Sequence, residues 1–248
     1  INIFLLKFKK ELPLLKSEII DVINVNTAYA SVCSPNGEIV IYREEEWFKV
    51  FIHETFHAYG LDFGFTENKQ IKNDILKTLN IKSKMYVFET YTETWSTLWY
   101  IAYKSYEIDN NMDISNFYNY YFYYLSLEKI HSILQSIKIL DHMNLKYTDL
   151  FLSSNKYKEN TNVFNYYILK TIMLYNCNEY LYLFIKNNNK FLNFTSTPKN
   201  IRIFSNFIIK LLKNNKTLNI FKQGERLYNN GKKINSYYLN RSLRMTII

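Results

Sequence analysis

Residues 53–57 read His53-Glu54-Thr55-Phe56-His57. On an α-helix, positions four apart stack one turn above each other on one face. Two imidazoles placed in this way can grip one metal ion. The glutamate after the first of them falls beside the open coordination position, where a water would sit. Two histidines are not enough, because a catalytic zinc has three protein ligands and one open position. The chain offers several third donors. Asp62 follows His57 closely. Glu89 and Glu93 stand four apart, on one face of a later helix. The remaining histidines, His131 and His142, lie eleven apart on another helix, where a surface or satisfied role is the plainer reading.

These side chains need elements to carry them. Two runs of β-formers, near 27–33 and 38–43, flank Pro35-Asn36-Gly37 and predict a hairpin. Residues 44–59 predict the helix that carries the two histidines. Its acids Glu44, Glu45 and Glu46 fall in the first turn, where they complement the dipole, and Gly60 stands at the C-terminal cap. Further helices are expected over 68–80 and 84–107, the second bearing Glu89 and Glu93. Beyond it come 114–142, 159–187, 200–214 and 217–229, with breaks at 153–155 and 187–190. Residues 1–23 read as an apolar–basic segment followed by a short helix after Pro13. Five glycines and three prolines in 248 residues favour long helices over turn-rich β structure. The expectation is an α+β fold, mostly α: a metal-binding core over 1–107 with a small N-terminal sheet, and a helical part over 108–248, packed as one unit.

The order of strand (Glu38–Arg43), HExxH helix and glutamate helix resembles the zincin metallopeptidases of the gluzincin type, over about residues 27–107. In that family the ligand helix often reads Glu-x-x-small, because it must approach the HExxH helix closely, and Thr92-Glu93-Thr94-Trp95-Ser96 fits. The resemblance implies Zn²⁺ held by His53, His57 and Glu93, with Glu89 accepting from a ligand histidine. The reverse assignment of the two glutamates stays open. The metzincin pattern HExxHxxGxxH is matched at Gly60, but Phe63 stands at its ligand position and Asp62 comes one residue early. The resemblance also implies peptide hydrolysis with Glu54 as general base. His131, Tyr100 or Tyr166 are candidates for stabilising the oxyanion, and a substrate backbone would add along Ile39, Val40, Ile41 and Tyr42. Phrases such as Ile-Tyr-Arg-Glu-Glu-Glu-Trp and Thr-Asn-Val-Phe-Asn-Tyr-Tyr-Ile are similar to uncharacterised zincin-like proteins of large DNA viruses. A catalytically inactive zincin scaffold is the rival reading, since zinc can persist for stability alone.

Charge points to other partners. The net charge is +9, yet eleven of the 31 basic residues and only one of the 22 acids lie at 199–248. That segment carries +10 and the rest is near neutral. Nucleic acid or an acidic partner are its expected ligands, although its lysines recur among Ile, Leu and Phe at helical spacing, as on amphipathic helices with a solvated face. Two cysteines, Cys33 and Cys177, make no disulfide framework and favour a reducing compartment, cytoplasm or virus particle. No apolar run is long enough for a transmembrane segment.

Overall fold

The computed structural model describes the whole chain except residues 66–68, 80, 82, 84, 109–112, 153, 155, 189 and 191. The breaks expected at 153–155 and 187–190 therefore fall partly outside the described residues. Three strands form one sheet: β1 (Asn2–Leu6), β2 (Ala28–Ala30) and β3 (Ile39–Arg43), in the order β1-β3-β2. β2 and β3 make the expected antiparallel hairpin, turned at Ser34 and Gly37. β1 runs parallel to β3 and was not legible as a strand, because its five side chains are all exposed and show no alternation. The helix expected after Pro13 shrinks to four residues, α1 (Val22–Val25), capped by Asp21.

The histidine-bearing helix is α2 (Trp47–Ala58), and Val50 on it packs with Ala28, Ile39 and Ile41 of the sheet. It ends where expected. Gly60 has φ +60°, its N–H donates to the His57 carbonyl at 3.1 Å, and the Leu61 N–H donates to that of Phe56 at 2.9 Å. Only a residue at ease in the left-handed region closes a helix this way. The start differs from expectation. Glu44–Glu46 precede the helix rather than fill its first turn. The Glu46 carboxylate pairs with the buried Lys10 ammonium at 2.7 Å, and Glu45 accepts from the Lys10 N–H at 2.6 Å. These acids tie down the N-terminal segment.

The remaining elements are helical. α3 (Lys69–Leu79), α4 (Val87–Ile108) and α5 (Ile114–His142) lead to a short 3₁₀ turn at Tyr147–Phe151. A π-helical segment, Phe164–Leu169, then runs into α6 (Lys170–Tyr175), and α7 (Cys177–Asn187) follows a break at Asn176. The single helix expected over 159–187 is therefore three pieces. α8 (Pro198–Leu212), α9 (Asn215–Gly231) and α10 (Tyr237–Asn240) complete the set. The fold is α+β and mostly helical, as expected. One core cluster joins Phe56, Tyr91 and Trp95 with Leu140, Phe164, Phe204 and Phe221, so it crosses residue 107. Among the described residues, no helix is long and apolar enough to cross a membrane.

Candidate metal centre

α2 packs against α4, and both histidines of α2 face that contact. Their Nε2 atoms lie 3.1 Å apart. One carboxylate oxygen, Glu89 Oε2 from the first turn of α4, lies 3.3 Å from Nε2 of His53 and 3.5 Å from Nε2 of His57. All three residues are buried, and that oxygen makes no hydrogen bond. The group can hold a metal ion. The opposite ring nitrogens are engaged. His53 Nδ1 is 3.0 Å from Glu93 Oε2, and His57 Nδ1 is 2.5 Å from Asp62 Oδ2. A carboxylate accepts only, so each Nδ1 carries a proton, and Nε2 is left as the ring atom turned toward Glu89, free to bind a cation once it is deprotonated. Asp62 is itself fixed by the Gly64 N–H at 2.9 Å and by the Thr92 hydroxyl at 3.3 Å.

The electrostatics follow from this crowding. Burial works against protonation of His53, but Glu89 and Glu93 outweigh it and hold its pKa above the usual imidazole value. For His57 burial is likewise overcome, by Glu89 and Asp62, and its pKa stands well above the usual value. Burial favours neutral Glu89, yet the two imidazoles pull its pKa down to about 2. Without metal the carboxylates thus favour the protonated form of both imidazoles, and a cation at the Nε2 atoms would take the protons' place.

Of the two glutamates of α4, Glu89 rather than the expected Glu93 is the one grouped with both Nε2 atoms. Glu93 lies behind His53, on the Nδ1 side, and its carboxylate pairs with the buried ammonium groups of Lys49 and, at 3.5 Å, Lys170. Two buried cations need an anion, and Glu93 supplies it; Glu89, one turn earlier, is left to face the Nε2 atoms. Lys49 and Lys170 were not anticipated. Lys49 carried a signal, since positions 49, 53 and 57 form one stripe of α2 and a lysine there must be paired once buried.

Glu54 is buried, and its pKa is raised by burial. It lines a cleft of about 30 Å³ together with His53, Thr27, Ala28, Tyr166 and Met245, among others. Of the three candidates for the oxyanion, only Tyr166 is at the site, with its ring centre 6.0 Å from that of His53. It stands on the π-helical segment, a feature frequent at functional sites. Asn165 clamps that segment to α4, donating to the Tyr86 carbonyl at 2.7 Å and to the Thr90 hydroxyl at 2.8 Å. Asn162 reaches Glu89 Oε1 at 3.4 Å. His131 is elsewhere: it bonds the Arg244 carbonyl and the Tyr238 hydroxyl, and burial drives its pKa down to about 3. Tyr100 packs on Phe48 away from the cleft, and His142 bonds the Glu18 carbonyl at 2.9 Å.

The expected substrate strand is also corrected. Ile39, Val40 and Ile41 are paired on both sides, by β1 and by β2, so β3 is the central strand and offers no edge. The edge beside the cleft is β2. Thr27 accepts from the Tyr42 N–H and Ser31 donates to the Glu38 carbonyl, so in the antiparallel alternation Ala28 and Ala30 turn their main-chain groups away from β3. The basic segment is partly neutralised within the fold: Lys232 pairs with Asp141 at 2.8 Å, Arg241 with Glu11 at 3.4 Å and Lys216 with Glu179 at 3.6 Å. Cys33 and Cys177 are both free. No family model, no curated protein and no solved structure matches the chain.

Proposed function

We propose that this chain is a zinc-dependent peptide hydrolase of the zincin kind, with His53, His57 and Glu89 as its metal ligands and Glu54 as its general base. The observation that carries the reading is the triangle of 3.1, 3.3 and 3.5 Å between the three donor atoms. Ligands at about 2.0–2.1 Å from a tetrahedral zinc stand about 3.3–3.4 Å from one another. The two imidazoles and one carboxylate are a set zinc accepts, and a cation would satisfy the buried Glu89 Oε2, which among the described residues has no geometrically satisfied hydrogen bond. Zinc held there would act as a Lewis acid on a scissile carbonyl and lower the pKa of a water. Glu54 takes the proton of the attacking water on its carboxylate and returns it to the leaving amine. Tyr166, facing the cleft, donates its hydroxyl to the developing oxyanion. Glu93 and Asp62 hold the ligand imidazoles in the Nδ1-protonated tautomer. A substrate backbone adds to β2, at Ala28 and Ala30.

Glu54→Gln tests this reading. The variant should bind zinc as wild type does and lose all but a small residue of cleavage against a peptide library; cleavage at the wild-type rate rejects the assignment. One observation favours a second reading, in which zinc is structural. The cleft of about 30 Å³ takes a water-sized group, and a peptide enters only if the 25–28 segment or Met245 moves. Stoichiometric zinc with no cleavage by wild type would select that reading.

A further inference from the structure

One feature of the molecule lies outside the expected zincin elements. Residues Ser242–Ile247 lie beside the N-terminal segment without regular secondary structure beyond a bridge to Glu11, with the Leu243 N–H donating to the Lys10 carbonyl at 2.7 Å. Ordinary loops satisfy their backbone with water or with neighbouring backbone. This one is gripped by six buried side chains from four parts of the chain. Lys138 donates to the Ser242 carbonyl at 2.6 Å, the Tyr167 hydroxyl to that of Leu243 at 2.6 Å, and His131 Nε2 to that of Arg244 at 3.0 Å. The Lys170 ammonium donates to the Met245 carbonyl. The Thr246 N–H goes to Glu46 at 2.5 Å, while its hydroxyl and the Ile247 N–H go to Glu128.

Two of those partners lead to the metal centre. Lys170 lies between the Met245 carbonyl and Glu93, and Glu93 holds Nδ1 of His53. Glu46, between the Thr246 N–H and Lys10, is the residue immediately before the first turn of α2. Met245 itself lines the cleft beside Glu54. We infer that Ser242–Ile247 is a strap belonging to the metal site: through Lys170 and Glu93 it fixes the His53 imidazole, and through Glu46 it fixes the start of α2. Metal affinity then depends on residues that never face the metal. Buried charges give such a chain of contacts its stiffness, since each carboxylate or ammonium that loses a partner is left uncompensated in a low-dielectric interior. The inference rests on the proposed metal centre, but on none of its catalytic chemistry.

The test uses the full chain. Thr246→Pro removes the N–H taken by Glu46 and the hydroxyl taken by Glu128, whereas Thr246→Ser keeps both. Lys170→Met removes the link from Met245 to Glu93. Zinc affinity is read by competition with a chromophoric chelator, ligand geometry by the absorption bands of the cobalt-loaded protein, and stability by the unfolding midpoint of the metal-free form. Thr246→Pro and Lys170→Met should each weaken zinc binding about tenfold or more and shift the cobalt bands, while Thr246→Ser stays at the wild-type values. Wild-type affinity and an unchanged cobalt spectrum in both disrupted variants, with only the unfolding midpoint lowered, would show that the strap serves folding alone and would overturn the inference. Should Thr246→Pro fail to fold, Tyr167→Phe, which removes only the hydroxyl that holds the strap at the Leu243 carbonyl, carries the same decision alongside Lys170→Met. A wild-type chain that takes up no zinc rejects the metal centre itself, an outcome distinct from zinc-loaded variants that behave as wild type.

Discussion

Glu89 and Glu93 differ by one helical turn, and their environments separate them. Glu93 neutralises two buried lysines, so Glu93→Gln should cost the metal-free protein about 3–5 kcal/mol, the usual penalty for stranding a buried charge. Glu89→Gln strands no lysine and instead removes the carboxylate that faces both Nε2 atoms. It should weaken zinc binding more than Glu93→Gln does, with the smaller effect on metal-free stability. Urea titrations paired with zinc competition read both quantities, and a Glu93→Gln chain with the weaker zinc binding of the two would restore Glu93 as the ligand. Acidity gives a second handle. His53 and His57 are held above the ordinary imidazole value of 6.5, so their contribution to the metal-free fold is complete below pH 6.5 and is lost as pH rises through their raised values. Glu89, pulled from 4.5 down to about 2, contributes above pH 4.5 and loses its share as pH falls through about 2. The cluster therefore stabilises most between pH 4.5 and 6.5. In chelator the melting temperature should fall as pH rises above 6.5 through the raised histidine values, and zinc should flatten that fall because it binds neutral imidazoles; a flat profile in chelator contradicts the raised imidazole values. The sequence revealed His53, Glu54, His57 and the nearby Asp62, because their relation is set by local helix geometry and a short loop. It favoured Glu93 over Glu89, which share a helical face; the positions of Lys49 and Lys170 around α4 distinguish them, and local spacing does not carry those.

At the scale of elements, close approach decides where side chains end up. α5 and α9 cross at Gly224, where an added Cβ would lie 2.4 Å from Ile133 Cγ1. Alanine would favour the helix by about 1 kcal/mol over glycine, but overpacking at such a contact costs about 1–3 kcal/mol. Ile133 Cγ1 is an inner atom of a buried side chain and cannot swing clear, so the cost should win. Gly224→Ala should destabilise by about 1–2 kcal/mol in urea, and a variant as stable as wild type would mean that the helices part without strain. The helices were readable from periodicity because their buried faces are long and repeated, and α5 begins and ends where the pattern predicts. β1 was not, since its apolar side chains are exposed and its pairing with β3 spans a long stretch of sequence. The π-helical segment was hidden for a related reason: its extra residue per turn is held by Asn165, which donates to Thr90 of α4, and by Glu159, which accepts the Phe164 N–H at 2.7 Å. Neither contact leaves a mark in local spacing.

For the whole molecule the question is whether the metal-binding core folds apart from the helical remainder. The burial pattern argues against separation. Tyr91 of α4 packs on Phe184 and Phe204, Trp95 packs on Tyr180 and Phe184, the start of α2 is held at Glu46 by Lys10 and the 242–247 strap, and Lys170 pairs with Glu93 of α4. Removing either half would expose an aromatic core and leave buried charges without partners, penalties far larger than the marginal stability of a single domain. The three tryptophans, Trp47, Trp95 and Trp99, all precede residue 107, whereas helices lie on both sides of it. Tryptophan fluorescence therefore reports one part and far-ultraviolet dichroism both. The two unfolding curves should coincide, as a two-state transition requires, and saturating zinc should move them together, by about 2.7 kcal/mol when free zinc is a hundred times its dissociation constant. A fluorescence transition that precedes the dichroism transition, or a zinc effect confined to fluorescence, would mean that residues 1–107 unfold on their own and that the strap grips the site too weakly to couple the halves.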